Sequence, residues 1–159
     1  MTKVAIALGS NLGDRAANLA LGLSALPGFV TNLVQSSWHD TAPHGVSPDQ
    51  PRYLNGVVTG ETALSARELL DRLLQIEAAA GRTRPSLMAP RTLDLDLILY
   101  GDQQIEEPGL TVPHPRFRER LFVLEPLAEV APGWIDPGTG VTVSALLQRA
   151  RQAARSGPS

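Results

Sequence analysis

The strongest hydrophobic pattern lies in Pro90–Tyr100, which reads PRTLDLDLILY. From Leu93 the residues alternate, with Leu93, Leu95, Leu97 and Leu99 on one side and Asp94, Asp96, Ile98 and Tyr100 on the other. That is the period of a β-strand with one buried face. Val4–Leu8 is a short apolar run that predicts a first strand, and the turn Gly9-Ser10-Asn11-Leu12-Gly13-Asp14 follows it. Asp14 suits a helix N-cap, and Leu19, Leu23 and Leu26 recur at helical spacing until Pro27-Gly28. A second strand is expected near Leu33–Trp38, with imperfect alternation, and a third at Tyr53–Thr62. Between them Ala42–Arg52 (APHGVSPDQPR) reads as a long loop of the kind that forms lids or binding loops.

Ser65–Ala80 is the clearest helix, with Ser65 and Glu68 as an S-x-x-E capping box, an apolar face of Leu69, Leu70, Leu73, Leu74 and Ile76, and Gly81 as a C-cap. Arg82–Pro90 (RTRPSLMAP) is a second breaker-rich loop and delivers the chain to the acidic strand. Leu110–Arg120 is dense in His and Arg; Leu121–Ala131 is apolar and interrupted by proline, which predicts short helical turns. Ser144–Arg155 predicts a terminal amphipathic helix with the last few residues frayed. The order strand, helix, strand, strand, helix, strand predicts an α+β fold. It is expected to be a ferredoxin-like βαββαβ antiparallel sheet with helices on one face and a C-terminal extension, all in one domain spanning residues 1–159.

Composition narrows the chemistry. The chain has no cysteine, which excludes disulfides, thiolate catalysis and Cys-based metal sites. No stretch approaches the ~20 apolar residues of a membrane helix, and the apolar run near the N-terminus is too short for a signal-peptide core, so a cytoplasmic protein is expected. The net charge of −2 argues against bulk binding of nucleic acid or an anionic membrane. The distribution of charge says more. Lys3 is the sole lysine, which excludes a phosphate-loop lysine, and Arg82, Arg84, Arg91, Arg116, Arg118 and Arg120 crowd one part of the chain. A local excess of arginine in a near-neutral chain suits a small polyanion.

Candidate chemistry centres on the strand. Two carboxylates two residues apart on one face stand ~6.6 Å apart at ~3.3 Å per residue. Asp94 and Asp96 in that arrangement repel each other and favour a divalent cation between them; oxygen donors favour Mg²⁺ or Mn²⁺ over zinc. The same pattern is also that of a half-exposed strand with two solvated acids. Arg82, Arg84 and Arg91 arriving just before the acids tip the balance toward a phosphate-handling site. Tyr53 and Asn55 share a face and suit stacking on, and hydrogen bonding to, a flat heterocycle; a packed Tyr with a turn-capping Asn is the plainer alternative. Glu77 sits in the last turn of its helix, where the dipole disfavours an acid. His114, stiffened between two prolines and flanked by Arg116, Arg118 and Arg120, suits a phosphate contact. The Gly-rich turn after the first strand is either an anion site or a simple turn, and it lacks both GxGxxG and GxxxxGK[ST].

Several motifs together resemble one family, the 6-hydroxymethyl-7,8-dihydropterin pyrophosphokinases of folate biosynthesis. They are ALGSNLGDR at Ala7–Arg15, YLNGVV at Tyr53–Val58, PRTLDLDLILYG at Pro90–Gly101, LTVPH at Leu110–His114 and RLFVLEPLAEVAP at Arg120–Pro132. The resemblance covers nearly the whole chain. It implies transfer of pyrophosphate from ATP to the pterin's hydroxymethyl group, releasing AMP, with two Mg²⁺ ions held by Asp94 and Asp96. It implies pterin contacts at Thr41, Tyr53, Asn55 and Phe122, and ATP contacts at Glu77, Arg84, His114 and Arg120. Arg82, Arg91 and Asp96 match the catalytic positions, and a monomer is implied. The sequence departs from well-studied members in the catalytic loop, where their nucleotide-covering tryptophan is missing. Here that loop is one residue shorter and reads Ser86-Leu87-Met88-Ala89. Gly109 and Pro115 also differ from the basic and aromatic residues those members carry. Two other readings are open on the residues alone: a different two-metal nucleotidyl or phosphoryl transferase, the nucleotidyl kind recognisable by release of pyrophosphate, and a catalytically silent pterin- or nucleotide-binding module.

Overall fold

The computed structural model describes residues 1–41, 52–81 and 93–156. In chain order the elements are β1 (Thr2–Ser10), α1 (Arg15–Ser24), β2 (Thr31–Gln35), β3 (His39–Thr41), β4 (Tyr53–Thr62), α2 (Ala66–Gly81) and β5 (Asp94–Tyr100). The hairpin β6 (Ile105–Glu107) and β7 (Leu110–Val112), a 3₁₀ turn at Phe117–Glu119, α3 (Leu121–Val130), β8 (Ile135–Asp136), β9 (Val141–Thr142) and α4 (Val143–Ser156) follow. This is an α+β architecture. Its main sheet is antiparallel in the order β2-β4-β1-β5, with β3 also paired to β4.

Both helix starts follow from the sequence. Asp14 caps α1 by accepting from the Ala17 N–H at 3.1 Å. Ser65 and Glu68 close the capping box reciprocally, at 2.9 and 3.1 Å. The two helices cover one face of the sheet, where Leu19, Leu69 and Leu73 meet Val4, Ile6 and Leu8 of β1 and Leu95 and Leu97 of β5. The C-terminal extension is not an appendage: it builds a second core on the other face. There Phe117, Leu124 and Leu127 pack with Val143, Leu146 and Leu147 over Ala5 and Val57.

The structure corrects several expectations. The alternation of the acidic strand does not persist to its end. Ala5 pairs with Leu99 and Ile6 with Leu97, so Ile98 is the extra residue of a β-bulge. Leu93, Leu95 and Leu97 enter the first core as expected, but Leu99 joins Ile98 in the second core and Tyr100 turns into the first. The Ile98 carbonyl at the bulge accepts from the His114 N–H at 3.0 Å. The second expected strand, Leu33–Trp38, is two shorter ones. Ser36 interrupts it by donating its N–H to the Val57 carbonyl and accepting the Val57 N–H on its hydroxyl, both at 2.9 Å. Trp38 then lies over Gly56, where a Cβ would come within 2.2 Å of the indole.

Leu121–Val130 is one continuous helix and not separate turns. Pro126 within it removes a backbone donor, a cost of about 3 kcal/mol in a helix interior. Burial of Val123, Leu124 and Leu127, at roughly 1.5–3 kcal/mol each, offsets that. The short hairpins β6–β7 and β8–β9 were not legible, because strands of two or three residues carry no measurable period. The loop expectations at residues 42–51 and 82–92, and the frayed end at 157–159, lie outside the described residues.

Candidate active site

On the α3 side of the sheet, the ends of β1, β4 and β5 form the floor of a cavity of about 460 Å³. The floor carries Ala7 and Gly9 from β1, Tyr53 and Asn55 from β4, and Asp94 and Asp96 from β5. Register explains the grouping: Gly9 pairs with Asn55 on one side and Asp94 on the other, and Ala7 pairs with Val57 and Asp96. The segment through the 3₁₀ turn and the start of α3 forms the wall, with Arg116, Glu119, Arg120 and Phe122. The Arg120 guanidinium sits 5.5 Å from the Phe122 ring centre, a cation–π contact that ties a charge to an aromatic face.

Each end of the cavity has its own support. At the amide end, Asn55 is buried and donates to the Thr41 hydroxyl at 2.6 Å. Gly9 lies below, and a Cβ there would approach the Asn55 side-chain oxygen to 3.0 Å. Any side chain at position 9 would therefore press the Asn55 amide out of its present place. At the acidic end, Glu77 from the last turn of α2 accepts the Leu95 N–H at 2.6 Å. Leu95 stands between the two acids, so Glu77 fixes the strand edge that presents them, which accounts for an acid at a helix C-terminus. Burial pushes the His114 imidazole below its ordinary value; Asp96 pulls the other way, and Arg120 and Arg116 reinforce the burial. Its Nδ1 accepts from the Arg116 N–H at 3.3 Å, so the proton of the neutral ring sits on Nε2.

The family model described as 7,8-dihydro-6-hydroxymethylpterin-pyrophosphokinase matches residues 5–132. The chain belongs to this family. A 2-amino-4-hydroxy-6-hydroxymethyldihydropteridine pyrophosphokinase of Synechocystis is 47% identical over 146 residues, covering 91% of this chain and 74% of its own. The Bacillus subtilis protein of the same name is 48% identical over 127 residues, covering 79% and 75%. A mitochondrial folate synthesis bifunctional protein of Pisum sativum is 41% identical over 138 residues, which are 86% of this chain but 27% of that protein. Among solved structures, wild-type HPPK-DHPS of Plasmodium falciparum superposes with a TM-score of 0.76 at 13% identity, over 99% of this chain and 45% of that one. At that identity the likeness speaks for the fold; the chain spans less than half of that larger protein.

Set in this pyrophosphokinase, the residues expected from sequence fall into three groups. Tyr53, Asn55, Phe122, Arg120, Asp94 and Asp96 line one cavity. Thr41, Glu77 and His114 do not line it; Thr41 bonds Asn55, Glu77 bonds the acidic strand, and His114 feels Asp96. Arg82, Arg84 and Arg91, with the departing Leu87-Met88-Ala89, lie outside the described residues. Arg118, grouped by sequence with its neighbours, turns away and pairs with the buried Asp136. Gly9, read from sequence as the start of a turn, lies instead within β1 beneath Asn55, and Glu119 went unnoticed. Only the β1–β4 register brings Gly9 to Asn55, and no local pattern singles out Glu119.

Proposed function

We infer that the chain transfers the pyrophosphoryl group of ATP to the hydroxymethyl oxygen of 6-hydroxymethyl-7,8-dihydropterin, in folate biosynthesis. The alcohol oxygen attacks the β-phosphorus, the bond from that phosphorus to the α,β-bridging oxygen breaks, and AMP leaves with the bridging oxygen while the hydroxyl proton is lost. The observation that carries this reading is one cavity with an aromatic–amide end and an acid–arginine end. Tyr53 and Phe122 supply aromatic faces for a pterin, and Asn55, held by Thr41, supplies the hydrogen bonds that read its edge. Arg120 and Arg116 face the polyphosphate, with His114 presenting its Nε2 proton nearby and Glu77 on the nucleotide side; Arg84 is assigned to the nucleotide on the resemblance of its loop alone. Arg82 and Arg91 are assigned to the transferring phosphates on the resemblance of their loop alone.

Asp94 and Asp96 fit Mg²⁺ by their chemistry: oxygen donors on one strand face at the cavity floor, leaving the remaining positions to phosphate oxygens and water. Two Mg²⁺ ions, when bound, would neutralise phosphate charge and lower the pKa of the attacking hydroxyl.

We read the antiparallel order β2-β4-β1-β5, with α1 and α2 on one face, as a ferredoxin-like βαββαβ unit in a single domain. The functional reading supposes a cytoplasmic monomer that binds ATP and the pterin and no nucleic acid; among the described residues no helix is long and apolar enough to cross a membrane.

The test is a product assay with ATP, Mg²⁺ and the pterin. AMP formed only when all three are present bears the reading out. Pyrophosphate in place of AMP would instead identify a nucleotidyl transferase. Pterin binding without any turnover would identify the silent module.

A further inference from the structure

Outside the cavity, three charged residues close a ring at the other face of the β3–β4 ladder. Asp40 accepts from Arg15 Nη2 at 2.9 Å on one carboxylate oxygen and from Arg52 Nε at 2.8 Å on the other. Arg15 Nη1 also donates to the Arg52 carbonyl at 2.9 Å, and Arg52 Nη2 donates to the Asp40 carbonyl at 3.1 Å. Hydrogen bonds from Arg15 first, then Arg52, hold the Asp40 carboxyl down to about 2, so the ring is charged at every working pH.

An exposed ion pair is ordinarily worth little. This one differs in what it fixes. Two of its bonds end on main-chain carbonyls, so it constrains backbone as well as side-chain tips. Its members are also adjacent in sequence to the amide end of the cavity. Asp40 precedes Thr41 and Arg52 precedes Tyr53, and the ladder pairs Asp40 with Leu54, Thr41 with Tyr53, and His39 with Asn55. Leu54 packs on the first core, and so the ring lies on the α1 side while Tyr53 and Asn55 face the cavity. The ring bridges residues 40 and 52, the two ends of the chain on either side of residues 42–51, and anchors both to the first residue of α1.

We propose that Arg15, Asp40 and Arg52 are positioning residues for the heterocyclic substrate, holding the β3–β4 end from behind so that Thr41, Asn55 and Tyr53 are presented in one arrangement. The proposal rests on the pterin reading of the cavity and adds residues that touch no substrate. It predicts a split between substrates, because Asp94, Asp96 and the 116–122 segment are attached to other elements.

The experiment measures pterin and ATP affinities, kcat, and backbone amide exchange in the wild-type chain, Asp40→Asn and Arg15→Lys. The expected result is pterin binding weakened about three- to tenfold in both variants, on the scale of a small network of exposed charge pairs. The KM for ATP should stay within about twofold, with kcat at saturation near wild type and Asp40→Glu restoring part of the loss. Amides of Thr41 and Asn55 should exchange faster while those of β1 do not. High salt should weaken pterin binding in the wild type more than in Asp40→Asn, since the pterin itself is uncharged. Equal losses for both substrates, or unchanged pterin affinity in both variants, overturns the proposal. A wild-type chain that does not bind the pterin overturns the functional reading, and with it the substrate role of the ring; amide exchange unaltered by both variants removes the mechanical part of the proposal independently.

Discussion

Asp96 is exposed where Asp94 is half-buried, so the two carboxylates of one strand are not equivalent. Asp96 is also the acid that His114 senses. Replacing Asp96 with Ala is expected to lower kcat by about 10²–10³-fold, the scale for losing one preorganised electrostatic group. Pterin affinity measured without metal should be unchanged, a comparison that equilibrium titration makes directly. At this scale the sequence was most informative where neighbours in the chain are neighbours in the site. The Asp94/Asp96 pair and the Tyr53/Asn55 pair both sit two apart on strands, and a period of two is readable without a fold. The place of Gly9 between Asn55 and Asp94 became visible only once β1 was laid between β4 and β5. Arg118 misled because proximity in sequence to Arg116 and Arg120 says nothing about which way a 3₁₀ turn rotates each side chain.

Elements were legible in proportion to their length and their end signals. The capping box at Ser65 and Glu68 located α2 to within a residue, and Asp14 did the same for α1. The split of the second strand was not legible, because it depends on Ser36 borrowing its partner from β4. The same region makes a specific prediction. Gly56→Ala puts a methyl against the Trp38 ring and should destabilise the protein by about 1–3 kcal/mol, the usual cost of overpacking. Thermal unfolding and a shifted tryptophan emission report it.

A second element, the β8–β9 turn, hangs on Asp136. Burial alone would raise this carboxyl; bonds from Arg118, the Gly138 N–H and the Thr139 hydroxyl outweigh it and hold the group below 3.8. A depressed carboxylate contributes stability above its unfolded value and loses it as pH falls through its folded value. Below about pH 3.8 the wild type should therefore lose stability more steeply than Asp136→Asn. At neutral pH that variant should itself be less stable by about 3 kcal/mol, because Arg118 is left without its buried partner. Denaturant melts across pH 2.5 to 7 test both halves.

At the scale of the molecule, the sheet is a partition between two cores with different duties. The α1–α2 core carries the back of the acidic strand, and the α3–α4 core carries the wall that holds Phe122 and Arg120 over the cavity. Leu69→Ala and Leu127→Ala each empty a fully buried site and should each cost about 2–5 kcal/mol. Only Leu127→Ala should also weaken pterin binding by the folded protein, since α3 begins at that wall; parallel melts and binding titrations separate the two effects. The expected sheet with both helices on one face was a correct reading of half the sandwich. The other half escaped because its pieces are short and proline-broken, and their apolar residues have no period until the sheet gathers them.

The bulge at Ile98 makes β5 a strand of two phases. Up to Leu97 its odd positions belong to the first core, and from Leu99 that parity is reversed. A point where parity resets is a natural seam for recombination. A segment ending at Leu97 can be exchanged with a relative as a cassette that carries the acids and their backing leucines together. A graft that kept Ile98 but paired it with Ala5 in place of Leu99 would turn Leu99 and Tyr100 into each other's compartments, and a phenol that now donates to the Leu64 carbonyl at 2.6 Å would be delivered to the wrong side of the sheet.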